Sequence, residues 1–301
     1  MNRLGKPRAK RYIAILLLSL LGGCIAIQQG LKERKPFSFI QMTDPQFGFF
    51  TGDSSFQEET RLFQEAIAHA NHLSPAFVVI TGDLVNKPGD PAQIAELMRI
   101  AGQLNGNIPL YWVAGNHDIE NVPTPATLTA YRETFGPDWY SFTRGNWRFI
   151  VLNTTIVHTP DSIKAEMDRQ WTWLQETLYG DTGSYSGTIV LQHHPLFVRD
   201  RDERDRYDNI PLRRRTQYLD LFKSNGVAAV FAGHYHGNSY GRDGDLEMVI
   251  TGPVGKPLRQ DPSGFRIVKV FPDHIEHAYY GFADVPATVD LEAQLLMQAV
   301  P

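Results

Sequence analysis

Gly115-Asn116-His117-Asp118 places an amide, an imidazole and a carboxylate side by side, directly after an apolar run from Ile108 to Ala114. The run has the length and composition of a buried strand, so these polar groups fall at its carboxyl end. In open α/β sheets that end is where ligands bind. One such tetrapeptide is weak evidence, because Gly-Asn alone often marks a turn. The interpretation therefore depends on how the other strands end.

Four more polar clusters each close or follow a run rich in β-branched or aromatic residues. In chain order they are Thr43-Asp44-Pro45-Gln46, Thr81-Gly82-Asp83, His193-His194-Pro195 and Gly233-His234-Tyr235-His236. Successive strands therefore deliver Asp, Asn and His side chains to one edge of a sheet. These are the ligands expected for two metal ions, so the repetition predicts a dinuclear metal site.

Each of these residues alone has an ordinary structural explanation. Asp83 could cap the segment that follows it, Asn116 could serve a turn, and a lone histidine is usually a core or surface residue. Their joint placement after successive strands is hard to explain in that way. The Gly82-Asp83 turn also brings Asp83 to the middle of the cluster, where one carboxylate can offer an oxygen to each of two ions.

Between the motifs, helix and strand patterns alternate without a long linker, which predicts one α/β domain with a largely parallel sheet. Amphipathic spacing predicts helices over 58–72, 91–104, 165–178 and 212–224. Strands are predicted over 37–42, 77–80, 108–114, 188–192 and 227–232, with a hairpin joining 140–143 to 148–152. Three later strands, 246–251, 265–271 and 275–280, are predicted to form a second layer.

The ordered series Asp-x-Gln, Gly-Asp, Gly-Asn-His-Asp, His-His-Pro and Gly-His-x-His resembles the motifs of the calcineurin-like metallophosphoesterases. The resemblance extends over residues 37–282. The forms Asp44-Pro45-Gln46-Phe47-Gly48 and 261–268 are similar to one subgroup, whose members are described as serine/threonine phosphatases. The resemblance implies a two-sheet α/β/β/α sandwich and hydrolysis of a phosphate ester by a hydroxide that bridges two metal ions.

The resemblance also implies a role for each motif residue. Asp83 would bridge the two ions, which would be Mn, Fe or Zn. The other ligands would be Asp44, Gln46 and His236 for one ion, and Asn116, His193 and His234 for the second. His117 is left over as a general acid for the leaving oxygen. Asp118 would either orient His117 or serve the turn.

Several residues near the motifs keep two interpretations. The usual first motif is Asp-x-His, and Gln46 stands where that histidine would be, so one ion is expected to bind less tightly. His194 is expected to line the site rather than bind metal. The charged segment Arg199 to Arg215 is either a solvated loop or the source of one arginine that reaches the phosphate. The aromatic residues at 47, 49 and 50 either wall the site or pack the sheet.

The N-terminus has the layout of a signal peptide. Residues 1–11 carry five basic residues and no acid, and an apolar run too short to span a bilayer follows. Leu21-Gly22-Gly23-Cys24 resembles a bacterial lipobox, and Cys24 is the only cysteine. The sequence therefore predicts a signal peptide at 1–23, a lipidated tether at 24–36, the phosphoesterase domain at 37–285 and a tail at 286–301. An uncleaved N-terminal anchor is the alternative, and either arrangement places the domain outside the cytoplasmic membrane.

The charge balance argues against nucleic acid as a partner. The formal net charge is -4, and removing the five positive charges of residues 1–23 leaves -9. A chain this acidic gains no general attraction to a phosphate backbone. We therefore expect a membrane-anchored extracytoplasmic phosphomonoesterase that acts on a small molecule or a protein. The alternatives are a phosphodiesterase acting on a nucleotide or lipid head group, a non-catalytic metal-binding lipoprotein and a cytosolic nuclease.

Overall fold

The computed structural model describes residues 35–180 and 185–292. The helices are α1 (Gln57–Leu73), α2 (Pro91–Ala101), α3 (Asn116–Ile119), α4 (Pro125–Phe135), α5 (Thr155–His158), α6 (Lys164–Tyr179) and α7 (Leu212–Ser224). The strands are β1 (Phe37–Met42), β2 (Val78–Thr81), β3 (Leu110–Val113), β4 (Tyr140–Arg144), β5 (Trp147–Val151), β6 (Gly187–Leu191), β7 (Val227–Ala232), β8 (Ser239–Asp243), β9 (Leu246–Ile250), β10 (Gly264–Val270) and β11 (Ile275–Gly281). The predicted signal peptide, Cys24 and residues 293–301 lie outside the described residues. Within those residues no helix combines the length and apolarity needed to span a bilayer.

The strands form two sheets. The first has the order β11-β10-β1-β2-β3 and the second β4-β5-β6-β7-β9-β8. Strands β1, β2 and β3 are parallel, as are β5, β6, β7 and β9. Antiparallel pairs are β1–β10 and β10–β11 in the first sheet, and β4–β5 and β8–β9 in the second. Helices flank the two sheets, so the predicted α/β/β/α sandwich is confirmed.

An aromatic layer joins the two sheets. Phe39 of β1 stacks on Phe77, which precedes β2, with ring centroids 4.7 Å apart. Phe149 of β5 meets Phe77 edge-on at 5.0 Å, and Phe231 of β7 meets Phe39 at 5.8 Å. Rings of this size bury large apolar areas, and edge-to-face contact adds a geometric preference. The aromatic layer therefore fixes one sheet against the other.

Two of the three strands predicted for the second layer lie in the first sheet. β10 pairs antiparallel with β1, with Ile40 opposite Ile267, and β11 pairs with β10. β9 does join the second sheet, beside β7. Residue alternation identifies a strand but not its partner, and β1 and β10 lie more than two hundred residues apart in sequence. The prediction was therefore correct about the strands themselves and wrong about the layer to which β10 and β11 belong.

Candidate metal centre

The seven predicted ligands follow the carboxyl ends of strands in both sheets, six in loops and Asn116 at the first residue of α3. Those from the first sheet are Asp44, Gln46, Asp83 and Asn116, and those from the second are His193, His234 and His236. None of the seven is more than 5% exposed. The sandwich thus brings the carboxyl edges of its two sheets to one buried polar cluster.

Two glycines allow these loops to approach so closely. At Gly82, where φ is +87°, an added Cβ would lie 2.5 Å from His193 Nδ1. At Gly233 an added Cβ would lie 1.8 Å from Thr43 Oγ1. A side chain at either position would separate the loops, and positive φ at Gly82 is a conformation that glycine adopts at little cost. The two glycines are therefore required for the loops to meet.

One half of the cluster contains Asp44 and His236, and Asp83 and His193 join it to the other half. Ligand atoms of Asp44, Asp83 and His193 all lie within 4.8 Å of one another. His193 Nε2 is 3.2 Å from Asp83 Oδ1, and His236 Nε2 is 3.5 Å from Asp44 Oδ1. These separations are those of side chains that could share an ion.

The other half is formed around His193. Its Nε2 lies 3.0 Å from Asn116 Oδ1 and 3.1 Å from His234 Nδ1. Asp83 also contacts this half, because its Oδ1 lies 3.2 Å from His193 Nε2. Asp83 therefore lies between the two groups, and its role as a bridge stays a prediction.

A backbone carbonyl oxygen orients each of the three histidines through its other ring nitrogen. The pairs are His193 Nδ1 with Thr81 at 2.8 Å, His236 Nδ1 with Lys256 at 2.7 Å and His234 Nε2 with Tyr207 at 3.0 Å. Partners of this kind fix the tautomer and ring orientation of metal-binding histidines. These contacts leave the other ring nitrogen of each histidine facing the cluster.

Two buried oxygen atoms without hydrogen-bond partners indicate whether the residues of the centre could bind metal ions. Within the described residues, Asp44 Oδ1 and Gln46 Oε1 are buried without a hydrogen-bond partner. The amide nitrogen of Gln46 donates to Asn86 Oδ1 at 3.2 Å, which leaves its oxygen for another partner. Buried polar atoms normally have partners, so two orphan oxygens beside three imidazoles fit the cations that a mixed oxygen and nitrogen site prefers.

The electrostatics of the cluster also favour added positive charge. Burial raises the pKa of Asp44. Burial likewise opposes ionisation of Asp83, but the imidazole of His193 outweighs it and lowers the pKa of Asp83 below its usual range. Burial disfavours protonation of His193, yet Asp83 raises the pKa of His193 to about 9. A metal that displaces this proton would satisfy both carboxylates, so loading is coupled to proton release.

Five of the predicted ligands have left-handed backbone conformations. They are Asp44 (φ 48°), Gln46 (φ 41°), Asp83 (φ 50°), His234 (φ 68°) and His236 (φ 53°). Within the described residues, only three other non-glycine residues have positive φ. Such conformations persist only where the surrounding structure enforces them, and they concentrate at functional sites. The fold therefore imposes the ligand geometry on the backbone.

His117 lies beside the cluster without being a predicted ligand. Its Nδ1 is 2.8 Å from the carbonyl oxygen of Asn86, which accepts a hydrogen bond from the protonated nitrogen. This contact leaves Nε2 as the nitrogen available to hold or give a proton. The ring of Phe49 is 6.5 Å from the His117 ring, centroid to centroid. The residue that orients His117 is therefore Asn86.

Asp118 is held entirely by backbone groups. Its Oδ1 accepts from Leu84 N at 2.8 Å, and its Oδ2 accepts from Gly115 N at 2.8 Å. Burial and the neighbouring Asp83 raise the pKa of Asp118 to about 7. These bonds tie the loop after β2 to the turn after β3. Of the two interpretations that the sequence left open, the geometry favours the structural one.

His194 lies against the centre from the side of the second sheet. Its ring is 4.3 Å from that of His234, and its Nδ1 is 3.4 Å from Thr154 Oγ1. Burial, together with the neighbouring histidines, lowers the pKa of His194 well below its usual value. His193, His194 and His234 each have a nitrogen within 4.8 Å of the others. His194 is thus a neutral lining residue within reach of the centre.

The arginine-rich segment supplies a tyrosine to the centre. Arg201 pairs with Asp243 at 2.7 Å, and the buried Arg215 of α7 donates to backbone carbonyl oxygens of the loop that precedes its helix. Tyr207, which the sequence did not single out, accepts a hydrogen bond from Asn116 Nδ2 at 3.1 Å through its hydroxyl. That contact turns Asn116 Oδ1 toward His193. The adjacent arginine run could have drawn attention to the loop, but nothing local distinguishes this tyrosine.

The three phenylalanines near the first motif divide between the two roles considered for them. Phe47 is fully buried and packs edge-on against Phe63 at 5.9 Å. Phe49 lies at the rim, with its ring 5.3 Å from that of His236. Phe49 and Phe50 are both half-buried. Phe47 therefore belongs to the hydrophobic core, and Phe49 forms part of the wall of the site.

Replacing Gln46 with histidine is expected to slow metal loss. An amide oxygen is a weaker ligand for Fe, Zn or Mn than an imidazole, so we expect Gln46→His to lengthen retention against a chelator by about tenfold. Metal content would be followed over time in excess chelator. Gln57→His, which adds an imidazole on an exposed part of α1, is the control. Equal retention of both ions by wild type and Gln46→His would contradict the expectation.

Comparisons with known proteins identify the family to which the chain is similar. A family model described as calcineurin-like phosphoesterase matches residues 37–238. Serine/threonine-protein phosphatase CPPED1 of Homo sapiens is 37% identical over 267 residues, which are 83% of this chain and 85% of the relative. A probable cyclic nucleotide phosphodiesterase of Moraxella catarrhalis is 26% identical over 68% of this chain and 73% of its own length.

Solved structures support the fold. A dimetal phosphatase from Danio rerio aligns with a TM-score of 0.61 at 16% identity, over 82% of this chain and 96% of that one. The family model covers well over half of the chain, and the human relative exceeds 30% identity over most of both lengths. The chain therefore belongs to the calcineurin-like phosphoesterase family.

Proposed function

We propose that this chain is a metal-dependent phosphomonoesterase in which Asp44, Gln46 and His236 would hold one ion, Asn116, His193 and His234 would hold the other, and Asp83 would contribute to both. The observation that carries the proposal is His117, an imidazole beside the ligand cluster whose Nδ1 is committed to Asn86. A binding protein has no need of a positioned proton donor. The geometry thus favours catalysis over the non-catalytic alternative.

The residues divide the work of hydrolysis. Two ions, when bound, would supply an activated water and neutralise charge on the phosphoryl oxygens. Tyr207 and Asn121 hold the amide nitrogen of Asn116, so that its oxygen stays turned toward the centre. His117 places Nε2 where it can protonate the departing oxygen. The chain thus orients Asn116 in the centre and supplies one proton, from His117, to the leaving oxygen.

A phosphomonoester is favoured by the relatives that share most of this chain. The human relative is named a serine/threonine-protein phosphatase, which makes a phosphoprotein one candidate substrate. The relative from Moraxella catarrhalis is named a probable cyclic nucleotide phosphodiesterase, and it supports the diester alternative at lower identity. A phosphomonoesterase and a phosphodiesterase need the same metals. Measured turnover of the two kinds of substrate must therefore distinguish the two functions.

The proposal is tested by turnover of p-nitrophenyl phosphate and bis-p-nitrophenyl phosphate by the full chain, with bound metals quantified. We expect two ions per chain. We also expect kcat/KM for the monoester to exceed kcat/KM for the diester by at least about tenfold, equivalent to ~1.4 kcal/mol in transition-state binding. Preference for the diester would favour the phosphodiesterase alternative. Two bound ions without turnover of either ester would favour a binding protein.

We also propose that the mature chain is an extracytoplasmic bacterial lipoprotein, anchored through a lipid on Cys24. The order of basic residues, short apolar run and Leu21-Gly22-Gly23-Cys24 supports this placement. We expect wild type to partition into the detergent phase and Cys24→Ser to lose the lipid mass. A wild-type chain without that lipid would contradict the anchor.

A further inference from the structure

The loop between β9 and β10, residues 251–263, passes directly beside the metal centre. Gly255 N donates to the carbonyl oxygen of Asp44 at 3.1 Å. The next residue, Lys256, offers its carbonyl oxygen to His236 Nδ1 at 2.7 Å. Two successive residues of the loop are therefore bonded to two candidate ligands. The backbone of Lys256 is fixed at the rim of the centre.

The side chain of Lys256 extends over the aromatic rim. Its Nζ lies 5.2 Å from the ring centroid of Phe49 and 5.7 Å from that of Phe50. Among residues 35–180 and 185–292, no carboxylate forms an ion pair with this ammonium. Aromatic faces attract a cation and hold it in place, but they leave its charge unneutralised. Lys256 is thus a positioned cation without an anionic partner in the part of the chain that the structure describes.

Phe49 connects this cation with the predicted leaving-group side of the centre. Its ring lies 6.5 Å from that of His117 and 5.3 Å from that of His236, centroid to centroid. His117 is the proposed proton donor to the leaving oxygen. The leaving oxygen must therefore lie next to this imidazole, and the rest of the leaving group must extend away from it. A leaving group that extends from His117 along Phe49 would reach the ammonium of Lys256.

We infer that Lys256 binds a second anionic group on the leaving-group side of the substrate, while Phe49 and Phe50 contact the apolar part between the two anions. The preferred ligand would be a phosphate monoester whose leaving group carries a carboxylate or another negative charge. This inference rests on the proposed phosphomonoesterase function and adds substrate specificity to it.

The overall charge of the protein makes a local cation necessary for such a substrate. The chain without residues 1–23 has a formal net charge of -9, obtained from -4 by removing five positive charges. A field of that sign opposes the approach of a multiply charged anion. Arg259 of the same loop is a second cation, with its guanidinium carbon 4.4 Å from the ring centroid of Tyr235. It provides a matched control, because its removal changes the loop charge equally.

The test compares 4-carboxyphenyl phosphate with the neutral 4-carbamoylphenyl phosphate, using the full chain as wild type, Lys256→Gln, Lys256→Arg and Arg259→Gln. We expect wild type to favour the carboxylate in kcat/KM by roughly five- to tenfold, as one partly exposed charge contact allows. Lys256→Gln should abolish this preference, chiefly through KM, and Lys256→Arg should keep most of it. Calorimetric binding of the two corresponding phosphonates should show the same pattern without turnover.

Each contrary result has a distinct meaning. An unchanged preference in Lys256→Gln, or an equal loss in Arg259→Gln, would overturn the local contact while leaving the phosphatase proposal intact. Hydrolysis of neither ester by metal-loaded wild type would overturn the proposed function, and this inference with it. Carboxylate selectivity in phosphonate binding alone would show that the anion site exists without the proposed chemistry.

Discussion

Asp83→Asn is expected to reduce phosphomonoester turnover by at least about 10³-fold and to leave fewer than two metal ions per chain, because a neutral amide is a poor bridge between two cations. The substitution is nearly isosteric, so the turn after Gly82 should survive. The substitution also removes the negative charge of Asp83 Oδ1, which lies 3.2 Å from His193 Nε2. Metal analysis and steady-state kinetics on the same preparation would measure both effects.

The control for Asp83→Asn is Asp161→Asn, which removes a carboxylate from an exposed position. This variant should retain wild-type metal content and activity. Circular dichroism of both variants would verify folding. If Asp83→Asn kept two ions and more than about a tenth of the activity, equivalent to less than ~1.4 kcal/mol in the barrier, the bridging role would be wrong.

His117→Gln is expected to lower kcat by about 10² to 10⁴-fold while metal content stays unchanged, since general acid catalysis contributes a factor of this size. Retention of metal follows from the geometry, because His117 contacts Asp83 through its backbone N–H, which any side chain preserves. The loss should depend on the leaving group. It should be small for p-nitrophenyl phosphate, whose leaving oxygen needs little protonation, and large for an alkyl phosphate.

The leaving-group dependence separates a proton donor from a residue that shapes the site. His69→Gln, at a histidine whose ring stacks on that of Phe282 at 6.0 Å, is the matched substitution and should leave kcat unchanged for both esters. A uniform loss across the two esters in His117→Gln would point to a role in shaping the site. Loss of an ion in that variant would instead make His117 a ligand.

The motifs at strand ends were predictable because they depend on local sequence. An apolar run followed by Asp83 or Asn116 specifies both a strand and the edge at which its polar residue lies. Parallel connections then force successive motifs to the same edge. The two-sheet architecture and the convergence of the histidines on that edge agree with the structure. Whether each residue binds metal stays a prediction.

The features that sequence missed depend on contacts between distant segments. β10 lies beside β1 because of long-range pairing, which residue alternation does not encode. Tyr207 and Lys256 reach the centre from loops that carry no motif, and each acts on a candidate ligand through its carbonyl oxygen. A backbone carbonyl is common to all residue types. Such a role therefore leaves no mark in the sequence.

The left-handed backbone at five candidate ligands has a consequence for the maturation of the protein. Contacts within the protein hold these backbone conformations, and carbonyl oxygens orient the histidine rings. A cleft shaped by such contacts would leave the choice among Mn, Fe and Zn to the ions available where the protein is made. We therefore expect the same polypeptide, produced in different surroundings, to accumulate as different metal forms.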